Sequence, residues 1–487
     1  MKLMRPLLSY LILLSVGLPA LAQEKWGLKK CVEYAWEHNV LVKQAGITAS
    51  FDSLTLRQNR LSQYPFASGS ANTGLQFGRS IDPTTNQFTN TQLLFQQYNF
   101  QTNITIFNWN NIRNNILAAR FGAEASKMDI EKAKNDLALN VATNYLQALL
   151  ASEQVKVVEA QVAQTQSQLA DTRKRVEAGS LPELNAVQLE AQLATDSSSL
   201  ISAKANAIQS VLALKAQMYL DAAEPFELDA PPVDMIPVDP IAELQPDYVY
   251  ATALKSQPAQ KSNELRIKSL EAASKASRAL MYPTIGAFGG LNTRFSNPFK
   301  EVTGATLNGY FPTTGAITTI NGVNYPVLSP NYTFQQSGKS FGGLWGGWGN
   351  QLSNNFSQNI GLTINIPIFN SGSARINYEK SKLNLTNAKV SREQIDQTLK
   401  QNIYQAYNNA TAALQKFNAN QVTVNSTQKA YDFANKRYNL GLLGTYDLII
   451  SQTNYTKAKL DLVNAHYDYV FKMKVLEYYK GLGLRLQ

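Results

Sequence analysis

Two short stretches of the chain alternate apolar and polar residues with a period of two. In "NIGLTINIPIFN", residues 359–370, Ile360, Leu362, Ile364, Ile366 and Ile368 share one face, and Asn359, Gly361, Thr363 and Asn365 the other. Earlier, Tyr98, Phe100, Thr102, Ile104 and Ile106 lie opposite Asn99, Gln101, Asn103 and Thr105. This pattern predicts strands with one apolar and one polar face. It suits the wall of a membrane barrel and equally a one-sided strand of a soluble sandwich, so the period alone leaves both open. Two more strands are predicted after the pairs Tyr64, Pro65 and Tyr282, Pro283, giving strands at about 65–79, 95–108, 283–296 and 357–370.

A second period takes over after each strand pair. From about 112 to 178 and from 374 to 440 there is no proline and almost no glycine, and apolar or small residues recur at a 4,3 spacing. In the later stretch the series runs from Leu399, Ile403, Ala406 and Ala410 to Tyr431 and Ala434. In the earlier one it runs from Leu137, Val141, Asn144 and Ala148 to Leu169 and Thr172. These heptads predict two coiled-coil helices, each roughly 100 Å long at 1.5 Å per residue. Many seam positions are Ala, Asn or Thr, which allow close approach but bury little apolar area. Such helices need neighbours on both sides, as in a bundle or a ring.

The two series share one phase because the chain is a tandem duplication. An offset of 218 residues aligns Ala35 with Ala253 and Tyr64, Pro65 with Tyr282, Pro283. An offset of 262 aligns "NITIFN" at 103–108 with "NIPIFN" at 365–370, and Gly179 with Gly441. The second copy therefore carries 44 extra residues between its two strands. The expected units are 23–220 and 259–487, with returning helices at about 182–218 and 445–481. They are joined by a Pro-rich linker at 221–258. Each long helix ends in a related turn, "KRVEAGSLPELNAV" at 174–187 and "KRYNLGLLGTYDLI" at 436–449. Gly179 and Gly441 suit a left-handed helix end, and Asn185 and Asp447 stand where an Asx side chain is expected to accept backbone donors of the next helix.

Residues 1–22 have the parts of a secretory signal: Lys2 and Arg5, the run "LLSYLILLSV", and "ALAQ" at 20–23. Cleavage is expected before Gln23. The formal charge of +10 then falls to +8. The remaining Lys and Arg are spread along helices rather than clustered, which argues against a nucleic-acid partner. The single cysteine, Cys31, reads as a small apolar helix residue. If the strands lie in a membrane they must close into a barrel. Four per chain are too few, since about eight is the practical minimum, so several chains must share one barrel. Three chains would supply twelve strands, enough for a tube, whereas two would supply eight with a lumen filled by side chains.

The duplicated helix, strand, strand, long-helix plan, the "IFN" ends at 106–108 and 368–370, and the Arg, Gly, Leu, Asx turns resemble the TolC family of outer-membrane export ducts. The resemblance covers nearly the whole chain after residue 22. It implies a mainly α fold with membrane β structure: a homotrimer with a twelve-stranded barrel among outer-membrane lipid and a helical tunnel in the periplasm. It further implies a passive duct that takes small toxic compounds, or proteins in type I secretion, from an inner-membrane pump of RND or ABC type through a periplasmic adaptor. On that reading the turns form the entrance. Arg175, Gly179, Leu181, Asn185, Arg437, Gly441, Leu442, Leu443 and Asp447 are the residues expected for adaptor docking and the entrance, with Asp447 a candidate gate contact. The copies depart from one another at Thr105 against Pro367 and at Asn185 against Asp447.

An enzyme is not expected, and neither is a cofactor or a metal. His38, His466 and Cys31 have no metal-ligand spacing, and "FGGLWGGWG" at 341–349 lacks the Lys and Ser or Thr of a phosphate loop. It reads as an aromatic loop at the membrane rim or beyond. The alternative is a trimeric coiled-coil fibre or adhesin, which would keep larger seam residues and would need no duplicated strands.

Overall fold

A computed structural model describes residues 25–81, 86, 88–89, 92–230 and 232–481 of the 487-residue chain. The expected signal sequence lies outside the described residues. In chain order the helices are α1 Leu28–His38, α2 Val40–Leu61, α3 Asn111–Glu177, α4 Glu183–Met218, α5 Pro246–Ser256, α6 Pro258–Ala279, α7 Trp348–Asn354, α8 Ser373–Asn439 and α9 Thr445–Lys480. The strands are β1 Phe66–Gln76, β2 Ser80–Ile81, β3 Phe88–Thr89, β4 Leu93–Phe107, β5 Thr284–Pro298, β6 Lys300–Ile320, β7 Val323–Gly338 and β8 Ser357–Asn365.

The duplication is visible in these bounds. Helices α5 and α6 start and end 218 residues after α1 and α2, while α8 and α9 follow α3 and α4 at 262. Segment 221–258 is therefore not linker throughout, because its end is α5, the repeat of α1. Pro246, which reads as a breaker, stands at the start of that helix, where its missing N–H costs nothing. The chain divides into two compact units. Of the described residues, one holds those within 25–56, 117–271 and 382–481, and the other those within 57–116 and 272–381.

The helical unit has two cores built on one plan. In the first, Cys31, Ala35, Val141 and Leu214 are fully buried; in the second, Val249, Ala253, Ile403 and Leu476 occupy the repeat-equivalent places and are equally buried. Burial pushes the Cys31 thiol up to about 12, so it packs as a neutral apolar group. Beside each core a carboxamide reaches the end of a returning helix. Asn39 Nδ2 donates to Gln217 O at 3.1 Å and Gln257 Nε2 to Tyr478 O at 2.9 Å, where the last carbonyls of a helix look outward; Tyr478 O also accepts from the Gly481 amide at 3.0 Å. The true connection, residues 219–245, lies along the helices. Lys215 Nζ donates to Ala222 O at 3.0 Å, and Glu477 accepts from the Asp239 amide at 2.7 Å while paired with Lys474 at 2.8 Å.

The second unit contains an antiparallel sheet in the order β1-β4-β5-β8. Its register puts Leu362 beside Ala287 and Ile364 beside Ile285, continuing to Ile104 on β4; the other face carries Ser68, Gln101, Gly290 and Asn359 in one row. Phe288 lies over Gly361, where a Cβ would be 2.7 Å from its ring. The strand expected at 357–370 stops at Asn365, ahead of Pro367, whose nitrogen has no hydrogen for the ladder. Each of the two strand-to-long-helix turns uses consecutive left-handed residues, Trp109 and Asn110 in the first and Ser371 and Gly372 in the second.

The 44 extra residues are not a simple loop. They hold the β6–β7 hairpin and α7, with Leu344 packed on Leu94 and Phe295 of the sheet. The aromatic loop at 341–349 is tied down by Asn297 Nδ2 donating to Leu344 O at 2.8 Å and Trp348 Nε1 donating to Gln96 Oε1 at 2.8 Å.

Candidate functional site

The two turns at the ends of α3 and α8 close with the same backbone motif. At the first, the amide of Gly179 donates to Val176 O at 2.9 Å and that of Ser180 to Arg175 O at 2.9 Å. At the second, Gly441 N donates to Tyr438 O at 2.9 Å and Leu442 N to Arg437 O at 2.8 Å. This pair of bonds satisfies the last carbonyls of the helix and requires a left-handed residue in the middle. Gly179 and Gly441 supply it, with φ of 72° and 73° and nothing within 4 Å of a Cβ at either. Arg175 and Arg437 thus have fixed roles in the backbone as the residues whose carbonyls are capped.

Asn185 and Asp447 do not cap the returning helices. The N-cap positions are Pro182 and Gly444, neither helix start has a side-chain cap bond, and both Asx residues sit three places inside the first turn. Asn185 is half-buried. Asp447 is exposed, where a carboxylate is favoured by the helix dipole. Leu181 and Leu443 are half-buried, whereas Leu442 is exposed. Around it Leu440 and Tyr446 are also exposed, forming an apolar surface on the second turn; the first turn offers Leu184 and Val187.

Of the sequence-predicted residues, Arg175 of the first turn reaches the end of the helix that leads into the second. Arg175 Nη2 donates to Asn439 Oδ1 at 3.4 Å, and its guanidinium lies 6.0 Å from the Tyr438 ring. Beneath it, Thr172 and the Tyr438 hydroxyl share a buried hydrogen bond of 2.8 Å. One turn further along, Gln168 donates to the Tyr431 hydroxyl at 2.9 Å, and Gln164 donates to the same oxygen. A further polar group joins α3, α4 and α9. There Thr165 Oγ1 donates to the buried Asp196 at 2.6 Å and accepts from Gln452 at 2.9 Å. The 4,3 spacing puts Thr172 and Tyr431 on the seams, and Thr165 seven residues before Thr172 with them, but it names no partners and does not mark Tyr438, Gln168 or Asp196. The available signal was the presence of hydroxyl groups at core positions of both long helices.

The description "Outer membrane efflux protein" is that of the family model matching residues 55–218 and 324–476, well over half the chain. The chain belongs to this family. Both turns lie inside the matched segments, and β5 and β6 lie outside them. Among efflux-family relatives, the chain is similar to outer membrane protein TolC of Escherichia coli (strain K12). The two are 27% identical over 117 residues, spanning 24% of each chain, so that alignment covers about a quarter of the relative's length. It is also similar to outer membrane efflux protein BepC of Brucella suis biovar 1 (strain 1330), 21% identical over 372 residues, 76% of this chain and 68% of that one. A solved structure of CusC shares the fold at a TM-score of 0.71 and 16% identity, over 94% of this chain and 95% of that one. As an outer membrane efflux protein, the chain belongs in the outer membrane, and its four-stranded sheet and long helices are the parts of a channel fold.

Proposed function

We propose that three copies of this chain form a passive export duct, with the sheets joined into a twelve-stranded barrel and the long helices forming a tunnel in the periplasm. One observation carries the reading. The β1-β4-β5-β8 sheet has two open edges, an apolar face with Ile360 and Leu362 at 90% and 70% exposure, and a polar face of Asn, Gln and Ser. A sheet of four strands can neither close on itself nor expose such a face to water. Closure with copies around a three-fold axis satisfies both edges and turns the apolar face to lipid. A coiled-coil fibre has no use for this sheet.

The two turns are the place where the duct meets a periplasmic adaptor and, through it, an inner-membrane pump of RND or ABC type. Arg175, Gly179, Leu181 and Asn185 contribute from one turn, and Arg437, Gly441, Leu442 and Leu443 from the other. Small toxic compounds are the cargo class this reading takes. Asp447, exposed at the second turn, contributes a gate contact to a neighbouring turn.

Imaging of the mature protein, purified in detergent from outer membranes, tests the architecture. A hollow three-fold particle is expected, and a solid rod without a detergent belt would return the fibre reading. Asp447→Ala is expected to raise single-channel conductance; unchanged conductance and export would remove the residue from the gate.

A further inference from the structure

The β6–β7 hairpin is a long two-stranded sheet that no described helix or strand covers. From Val302 to Gly338 the sequence contains no Asp, Glu, Lys, Arg or His. Among the described residues, no other helix or strand packs broadly on either strand. An isolated hairpin of this kind is marginal in water, and long uncharged strands are an association hazard unless covered.

Its register separates two faces. Leu307 pairs with Tyr332, and Tyr310, Leu328 and Phe334 fall on the same side, each between 43% and 65% exposed. The opposite side pairs Thr306 with Thr333, Gly309 with Asn331 and Gly304 with Gln335; apolar residues return there only at Phe311 and near the turn. An apolar sheet face needs a second layer. Edge-to-edge addition is a poor way to supply it, because Pro312, Pro326 and Pro330 leave gaps in the donors a further strand would use.

Three observations name the occupant. The hairpin grows directly from β5: Phe299 N donates to Gln92 O at 2.9 Å, continuing the β4 ladder, and Lys339 N donates to Phe299 O at 2.8 Å. Hence its position is fixed by the same sheet that copies must close. Counting alternation on through Phe299 puts Val302 and the apolar face on the side of Gly290, Asn292 and Ser296, opposite the face given to lipid. Identical faces without charge also meet without like-charge repulsion.

We propose that the apolar face of this hairpin is covered by the same hairpins of neighbouring copies, forming an assembly contact at the outer mouth of the duct. This rests on the trimeric duct reading above.

Hydrogen exchange on the full mature chain, purified in detergent, tests it alongside the particle mass. In the wild type the hairpin amides are expected to exchange about 100-fold more slowly than in a Tyr332→Asp, Phe334→Asp variant, whose charges lie on the apolar face. A Thr333→Asp, Gln335→Asp variant, charged on the other face, is expected to match the wild type. A bis-maleimide should link copies carrying Tyr310→Cys, with Cys31 fully buried, and should not link copies carrying Thr306→Cys. A trimer whose wild-type hairpin already exchanges freely, or whose two double variants behave alike, or whose Tyr310→Cys copies fail to link, overturns this contact and leaves the duct standing. A particle that is not trimeric overturns the duct reading and this contact with it.

Discussion

The two helical turns share a backbone and differ in what holds it. Each closes with the same pair of hydrogen bonds around a left-handed glycine. The first rests on an aliphatic cluster, Leu169, Ala186 and the fully buried Leu189, and adds surface support: Arg173 bridges to Glu190 at 2.6 Å, and Ser180 Oγ donates to Arg175 O at 2.8 Å. The second is secured from within, by Tyr431, Ala434, Tyr438 and the fully buried Leu448. Duplication preserved the geometry of the turn while its two copies moved to different means of support. The copy with the aromatic interior is also the one with Leu440, Leu442 and Tyr446 exposed, so the second turn presents the more apolar surface.

The largest break in this comparison is expected from Tyr438→Ala. Tyr438 is nine-tenths buried, and truncation removes both its ring packing and the acceptor or donor used by Thr172. A loss of about 3 kcal/mol is expected, read as faster hydrogen exchange through the second turn and through α3 near Thr172. Val176→Ala, at the equivalent place in the first turn, should cost about 1 kcal/mol, because Val176 is only half-buried. Equal losses would show that the ring is not the second turn's support.

Gly179→Ala and Gly441→Ala should cost about 1 kcal/mol each, and the same at both turns. Neither position has an atom within 4 Å of the added methyl, so only the left-handed backbone is tested. A large difference between them, measured by thermal unfolding, would mean that the shared backbone motif is not carrying equal strain.

These helix ends and the seams above them were legible in the sequence because the glycine and the heptad phase recur in both copies. Hydrophobic alternation likewise made the sheet legible on β4 and β8. The β6–β7 hairpin was not, since bulges between 302 and 304, 307 and 309, and 312 and 317 shift the register and erase the period of two. The role given to Asn185 and Asp447 failed for a geometric reason: composition locates a helix start to within a few residues, but capping depends on the single N-cap place, held here by Pro182 and Gly444. Contacts between the turns, such as Thr172 with Tyr438, join residues 266 apart in sequence, and no local pattern encodes such a pairing.

A pH-dependent difference should follow from Tyr431, whose repeat equivalent is Leu169. Burial raises the Tyr431 hydroxyl above its ordinary value near 10, outweighing the donors from Gln164 and Gln168. Because the folded value lies above the unfolded one, this contribution is complete below pH 10 and is lost as pH rises through the folded value. Alkaline titration followed by exchange at the two turns should loosen the second before the first, and Tyr431→Phe should abolish the order. An unchanged order in that variant would assign the loosening to another group.

The smallest effect belongs to the surface support of the first turn. Arg173 and Glu190 have side chains 57% and 45% exposed, so water and salt screen their attraction and the pair is worth about 0.5 kcal/mol. Arg173→Ala should therefore loosen the first turn slightly at low ionic strength and not at all in about 1 M salt, where the Debye length falls to about 3 Å. The second turn has no equivalent ion pair among the described residues, and its exchange should be indifferent to salt. If salt loosened both turns equally, the assignment of an added surface support to the first turn alone would be wrong. If it loosened only the first, and Arg173→Ala removed that response, the two copies would be shown to hold one backbone motif by separate forces.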